Sequence, residues 1–339
     1  MKIGLVKLSA LGDIVHAAIV LQFIKKHYPK ASIDWFVDAR FAGLLQDHPM
    51  INEVYALPLK DRKFKEVFAM LFEARQNKYD VVIDLQGLIK SALVSKFLCA
   101  NTFGFDQESI KEGFASNFYT HKFACNYEEN IIVRNLSLVA YVLNEHFDHS
   151  DIELKQSCFS VDDELKESLE QRLSLSESAP NILIHVGSSM PNKIYPKERL
   201  ILLCRMLLEY FTSAKIMLGW GNVNEFNFAK DIVLNLKHLK IELAPKLSLS
   251  ELCALTKASD LIIGNDSGPT HLAFALNKPS ITIFGATPSQ RNTYETNINK
   301  TINAGKKILH SKHIDKSDFC IQNIDEKDIF KLACELLEK

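Results

Sequence analysis

The chain has 339 residues, 47% of them hydrophobic and 24% charged, with a formal net charge of −1. That length accommodates two domains of roughly 150 residues each, and the composition is that of an ordinary globular protein rather than a disordered or fibrous one. Without net positive charge the chain lacks the field of a general nucleic-acid binder, and no stretch of about 18 uninterrupted apolar residues predicts a membrane-spanning helix.

The first half alternates between strand and helix. Lys2–Leu8 reads as a buried strand and 13–27 as a helix carrying Ile14, Ala17, Ala18, Leu21 and Ile24 on one face. Lys2 ahead of apolar residues looks like the start of a signal peptide, but Lys7, Asp13 and His16 interrupt the run and no convincing cleavage site follows. A strand over Ile33–Val37, a short helix over Phe41–Leu45, a strand over Glu53–Leu57 and a helix over Phe64–Ala74 come next. Asp80–Leu85 has the continuous apolar run of a parallel-sheet strand, followed by a helix over Leu88–Leu98. Residues 150–180 are polar and Ser-rich, and the domain boundary is placed there: a first domain over 1–160, a second over 175–339.

The second series is predicted as strand Asn181–Val186, helix Lys197–Glu209, strand Lys215–Leu218, helix Asn224–Asn235, helix Leu249–Ala258, strand Leu261–Gly264, helix Pro269–Leu276 and strand Ser280–Phe284. An amphipathic helix over 325–337 closes it, with Ile329, Phe330, Ala333, Leu336 and Leu337 on one side. The fold class is therefore α/β: two Rossmann-like domains facing across a cleft, with a C-terminal amphipathic helix. Ligands of open α/β sheets bind at strand C-termini, which directs attention to the segments 7–13, 186–193, 219–225 and 264–271. Seven cysteines, odd in number and with no Cys-x-x-Cys pair, point to free thiols in a reducing cytoplasm rather than disulfides or a zinc site.

The most informative segment is Gly264-Asn265-Asp266-Ser267-Gly268-Pro269-Thr270-His271, a buried strand fused through a polar turn to an amphipathic helix. Such a turn aims backbone N–H groups and a helix N-terminus at one point, where a phosphate is stabilised. Pro269 fits the first helical turn, where its missing N–H costs nothing, and Gly268 lets a ligand approach the backbone. Asp266 would repel phosphate and suits sugar hydroxyls or a capping role; His271 is a ligand contact or a core histidine. Ser188, Ser189 and Lys193 leave a strand with two hydroxyls and a cation, which suits a diphosphate or a solvated loop alike. Glu225, after Gly219-Trp220-Gly221, can accept from ribose hydroxyls or open its helix. Asp13, after Gly12 at a strand end, is either a helix cap or a general base; Ser9 shapes the same loop. Lys60, Arg62, Lys63 and Lys65 form a basic cluster interrupted by Asp61, with Lys111 a further cation. There is no Asp-x-Asp motif, no metal-spaced His/Cys/carboxylate cluster and no Gly-x-x-x-x-Gly-Lys-Ser/Thr loop.

Four segments in register resemble the bacterial lipopolysaccharide heptosyltransferases, glycosyltransferases of the two-Rossmann-domain GT-B type. They are Lys7-Leu8-Ser9-Ala10-Leu11-Gly12-Asp13-Ile14-Val15-His16, Asp84-Leu85-Gln86-Gly87-Leu88-Ile89-Lys90-Ser91, the 110–119 segment Ile110 to Tyr119, and Asp266 to Ala273. The 110–119 segment is similar to that of type I members. The resemblance implies inverting transfer of L-glycero-D-manno-heptose from ADP-heptose to the 3-deoxy-octulosonate of a lipid A precursor, without a metal or other cofactor. It implies Asp13 as general base, and Ser188, Ser189, Lys193, Glu225, Asp266, Ser267, Gly268, Thr270 and His271 as donor-binding residues. Serines stand where the family often has threonines. On the acceptor side it implies Ser9, Gly12, Lys60, Arg62, Lys63 and Lys111, cations suited to a lipid-anchored glycolipid rich in carboxylates and phosphates. It implies a peripheral protein at the cytoplasmic face of the inner membrane, with no nucleic-acid partner. A type II or other heptose transferase, a sugar-nucleotide epimerase on the same fold, and a non-catalytic nucleotide-sugar sensor are the rival expectations.

Overall fold

In a computed structural model describing residues 1–306, 308, 311–312 and 314–338, the chain divides into two compact units, Met1–Ser160 and Val161–Lys339. The first holds a six-stranded sheet built from β1 (Lys2–Val6), β2 (Ser32–Asp38), β3 (Glu53–Leu57), β4 (Val81–Asp84), β5 (Thr102–Phe105) and β6 (His121–Phe123). Every neighbouring pair is parallel and the order is β3-β2-β1-β4-β5-β6. The second unit repeats the plan with β7 (Asn181–His185), β8 (Lys215–Gly219), β9 (Ile241–Leu243), β10 (Leu261–Asn265), β11 (Ser280–Phe284) and β12 (Asn299–Asn303). Its order, β12-β11-β10-β7-β8-β9, is the same topology read from the other edge, and its pairs are all parallel.

This order has a physical consequence. The chain leaves β1 toward one edge of its sheet and returns to build β4 on the other side, so the β1–β4 pair is a topological switch point, and β7–β10 is its counterpart. Helices covering the loops on either side diverge there and open a crevice at the strand C-termini, where α/β proteins bind ligands. The loops after β1, β4, β7 and β10 carry the segments 7–13, 84–91, 186–193 and 264–271, while 110–119 and 219–225 follow β5 and β8. Parallel strands buried on both faces explain the apolar runs. Ile182, Ile184, Leu261 and Ile263 lie in one buried cluster, Leu183 and Ile262 in another. The helix Glu326–Leu337 buries Ile329, Ala333 and Leu336 in the second unit's core.

Several differences from the sequence reading are informative. The helix expected over 13–27 starts at Leu11 and breaks at Ala18 into Leu11–Ala17 and Ile19–His27. Helices Ile131–Leu143 and Asp163–Arg172 were not foreseen; the latter opens the second unit, capped by the Asp162 side chain, which accepts from the Glu164 and Leu165 N–H groups. Among the described residues no helix is long and apolar enough to cross a membrane.

Candidate active site

At the second switch point, β10 delivers Asp266 to a buried position just ahead of the helix Gly268–Ala275. No side chain caps that helix at Ser267; the Ser267 and Thr270 hydroxyls face each other at 3.3 Å. The Lys193 ammonium, also buried, meets Asp266 Oδ2 at 2.6 Å. His271, one turn into the helix, has Nε2 2.9 Å from Asp266 Oδ1, and its Nδ1 is 3.1 Å from the Thr293 hydroxyl. Thr287 donates to Asp266 Oδ2 at 2.8 Å and Asn292 Nδ2 at 3.4 Å. Burial alone would raise the Asp266 carboxyl, but the His271 hydrogen bond and the Lys193 charge outweigh it and hold the group below the usual carboxylate range. An ionised Asp266 can only accept, so the proton shared with His271 sits on Nε2.

The loop after β7 is tied to the same point. Ser188 Oγ donates to the Asp266 carbonyl at 3.1 Å. Asn265 Nδ2 donates to the Val186 carbonyl at 3.0 Å, while its Oδ1 accepts from the Tyr195 N–H at 3.0 Å. Ser189 is exposed. Glu225, in the first turn of helix Val223–Leu236, accepts from the Gly221 N–H and from Asn222 Nδ2, both at 2.7 Å. Its carboxylate lies so close to Gly187 that a Cβ there would overlap it. Ser188, Lys193, Asp266, Ser267, Gly268, Thr270 and His271 thus converge on one helix N-terminus, with Glu225 against the adjoining loop. A helix end lined by a lysine and hydroxyls is suited to a diphosphate.

At the first switch point, Asp13 is the third residue of helix Leu11–Ala17, and its Oδ2 accepts from the Ala10 N–H at 2.9 Å. Asp13 is thus not the N-cap itself, a position held by Ala10, but reaches back to it from the first turn, and its side chain remains partly exposed. Gly12 is the second residue of the helix. The Leu8 and Ser9 N–H groups both donate to Gln86 Oε1 at 3.1 Å, and Lys90 Nζ reaches Ser9 Oγ at 3.5 Å. Lys7 Nζ donates to the Leu85 carbonyl at 2.7 Å, so the loop after β1 is held by the 84–91 segment.

That segment is anchored in turn by 110–119. Asp84, fully buried, accepts from Tyr119 Oη at 2.7 Å and from the Gln86 and Gly87 N–H groups at 2.8 and 3.1 Å. Burial pushes its carboxyl up, against those hydrogen bonds. Gly87 has φ +70°, a left-handed turn with Ile110 packed where a Cβ would go. Glu112 accepts from the Ile89 N–H at 2.8 Å at the start of helix Ile89–Leu98. Lys60, Arg62, Lys63 and Lys65 are all exposed, with Lys63 3.2 Å from Glu66; Lys111 is exposed on a different segment, ahead of the turn Gly113–Phe118.

The sequence reading missed Thr287, Asn292 and Thr293. Thr287 follows a strand C-terminus, that of β11, so the rule that selected the other loops also selects it; Asn292 and Thr293 carry no sequence signal. Among the described residues no cluster of three or more His, Cys, Asp or Glu is arranged to hold a metal ion.

Comparison with known proteins matches the chain to a family. A family model described as glycosyltransferase family 9 (heptosyltransferase) matches residues 67–322. A Campylobacter coli protein named lipopolysaccharide heptosyltransferase 1 is 56% identical over 338 residues, 99% of each chain. Among solved structures, E. coli heptosyltransferase WaaC with ADP matches at TM-score 0.74 and 23% identity, covering 100% of both chains. E. coli ADP-heptose lps heptosyltransferase II matches at TM-score 0.77 and 20% identity, covering 100% of this chain and 99% of that one. The two solved structures establish the fold and do not separate the heptosyltransferase types.

Proposed function

The chain belongs to glycosyltransferase family 9, and from that premise we propose that it transfers L-glycero-D-manno-heptose from ADP-heptose to the 3-deoxy-octulosonate of a lipid A precursor, as a type I enzyme. The observation that carries this reading is the convergence of Lys193, Ser188 and the N-terminus of helix Gly268–Ala275 on Asp266, together with 56% identity over 99% of a chain named for that activity.

In this reading the second unit binds the donor. The diphosphate takes Lys193, the Ser188 and Ser189 hydroxyls and the N–H groups that open the helix, with Ser267, Gly268 and Thr270 around it. Asp266, oriented by His271 and Thr287, accepts from the heptose hydroxyls, and Glu225 from the ribose. The first unit takes the acceptor, with Lys60, Arg62, Lys63 and Lys111 facing its carboxylates and phosphates, and Ser9 and Gly12 shaping the loop. The acceptor hydroxyl attacks the anomeric carbon and its proton passes to Asp13. The bond to the diphosphate breaks with its electron pair leaving on ADP, and the configuration inverts. The charge growing on the leaving diphosphate is stabilised by Lys193 and the helix end rather than by a metal. The acceptor is lipid-anchored, so the enzyme works at the cytoplasmic face of the inner membrane. Incubation of the purified chain with ADP-heptose and a deacylated 3-deoxy-octulosonate acceptor tests the proposal. Stoichiometric ADP and a product heavier by one heptose support it. Conversion of the donor sugar without any acceptor would assign an epimerase instead, and binding of ADP-heptose with no turnover a sensor.

A further inference from the structure

The first unit carries an apolar face that its own fold does not cover. Helix Phe64–Arg75 has two apolar stripes. Val67, Leu71 and Ala74 are buried in the core. Phe64, Phe68 and Phe72 recur every fourth residue on a neighbouring stripe and are 59%, 59% and 62% exposed. The adjacent helix Ile89–Leu98 repeats the spacing with exposed Ile89 and Leu93 and half-buried Phe97. The two stripes join edge to face at Phe68 and Phe97, with ring centroids 6.1 Å apart. Single exposed apolar residues are ordinary, but a contiguous aromatic surface across two helices marks an interaction site.

The charges around it identify the partner. Residues 60–98 contain eight Lys or Arg against five Asp or Glu, in a chain whose overall net charge is −1. Arg75 lies over the Phe97 ring at 5.6 Å, and Lys65 and Lys96 are exposed on the same two helices. At about 100° per residue, Glu66 and Glu73 fall on the side of helix Phe64–Arg75 away from the phenylalanines. Asp61 interrupts the 60–63 cations and, like Asp80, lies outside these helices, and Asp84 is buried. A second copy docked through this face about a two-fold axis would set cations against cations. A surface that is both anionic and able to accept aromatic rings below its charges satisfies both features, and an acidic bilayer is such a surface.

We propose that the Phe64/Phe68/Phe72 stripe with Ile89, Leu93 and Phe97, ringed by Lys65, Arg75, Lys96 and the 60–63 cations, is the face by which the first unit docks on an anionic lipid membrane. This deepens the reading of the chain as an enzyme on a lipid-anchored acceptor, but vesicle binding can be measured without turnover. The full chain is sedimented with vesicles of phosphatidylcholine alone and of phosphatidylcholine mixed with phosphatidylglycerol. The wild type is expected to bind the anionic vesicles at least about tenfold more tightly than the neutral ones, and F64S/F68S/F72S to bind them at least about tenfold more weakly than the wild type. The variant should unfold at the wild-type urea midpoint and transfer heptose normally to a water-soluble acceptor, while transfer to a vesicle-embedded acceptor falls. K65Q/K96Q, which leaves every aromatic in place, should weaken binding to anionic vesicles alone.

Wild-type vesicle binding by the triple variant, or a wild type that sediments with neither vesicle, overturns the docking face. So does a variant that only converts a dimer to monomer, which makes the face a self-contact. Loss of transfer to the water-soluble acceptor with vesicle binding intact assigns the face to the acceptor site instead. A wild type that binds vesicles as expected but transfers nothing removes the transferase reading and leaves the docking face standing.

Discussion

Replacing Lys193 with Met tests the ion pair at the heart of the second unit. Lys193 and Asp266 are both buried and 2.6 Å apart, so at an effective dielectric constant of about 20 their attraction is on the order of 6 kcal/mol. Desolvating the two ions costs several kcal/mol each, so the intact pair contributes little net stability. Removing one partner alone discards the attraction and keeps the other's desolvation, a loss of about 3–5 kcal/mol. Asp266 retains His271 at 2.9 Å and the Thr287 hydroxyl at 2.8 Å, which places the loss near the lower end, about 3 kcal/mol. The assay is urea unfolding of the wild type, K193M, D266N and K193M/D266N near pH 7.5. K193M should be the least stable, and adding D266N to it should recover at least about half of the loss, because the buried charge is then gone. Transfer should be lost in K193M and stay lost in the double variant, since no cation remains for the diphosphate. A K193M variant within about 1 kcal/mol of wild type, or a double variant no more stable than K193M, would refute the buried-pair reasoning.

Three further outcomes follow from named groups. Asp13→Asn should bind ADP-heptose within a few-fold of wild type by calorimetry while transfer falls by about 10²–10⁴-fold, the usual worth of a positioned base; near-normal transfer would remove Asp13 from that role. His185 is buried at the end of β7, where desolvation lowers its imidazole to about 4. The folded protein therefore refuses a proton that the unfolded chain takes up below about pH 6.5, and stability falls as pH is lowered through that window. The loss between about pH 7.5 and about pH 5 is about 2 kcal/mol for this group, and H185L should show a correspondingly shallower urea-midpoint change; equal slopes would contradict it. Transfer should be unaffected by exhaustive treatment with EDTA, and a rate that falls and recovers with a divalent ion would overturn the metal-free leaving-group scheme.

The parts of the fold legible in the sequence share a cause. β11 and helix Leu249–Ala258 run between the residues expected, because a fully buried strand and a capped helix leave sharp signals; Ser248 and Glu251 form a reciprocal cap on the latter, and the edge strand β3 is bounded as expected although only Leu57 in it is buried. What was missed lies where that contrast fades. β6, β9 and β12 are edge strands, at most five residues long; β6 and β12 carry little buried apolar surface, so neither has a continuous run. Helix Ile131–Leu143 buries Arg134 and Asn135 beside its aliphatic residues, which blurs its period. The motif loops were readable because strand, polar turn and helix follow one another at both switch points. Their supports were not, because Tyr119 reaches Asp84 across 35 residues and Thr287 reaches Asp266 across 21, and such pairings exist only after folding. The segment Phe64–Ala74 reads in sequence only as a helix, and only burial separates its core stripe from the outer one.

The most direct measurement is a competition in which the purified chain and ADP-heptose are given two acceptors together. One ends in bare 3-deoxy-octulosonate and the other already carries its first heptose. Heptose added to the bare acceptor, with the heptosylated one left unchanged, is the predicted result. Exclusive use of the heptosylated acceptor would contradict the type I assignment.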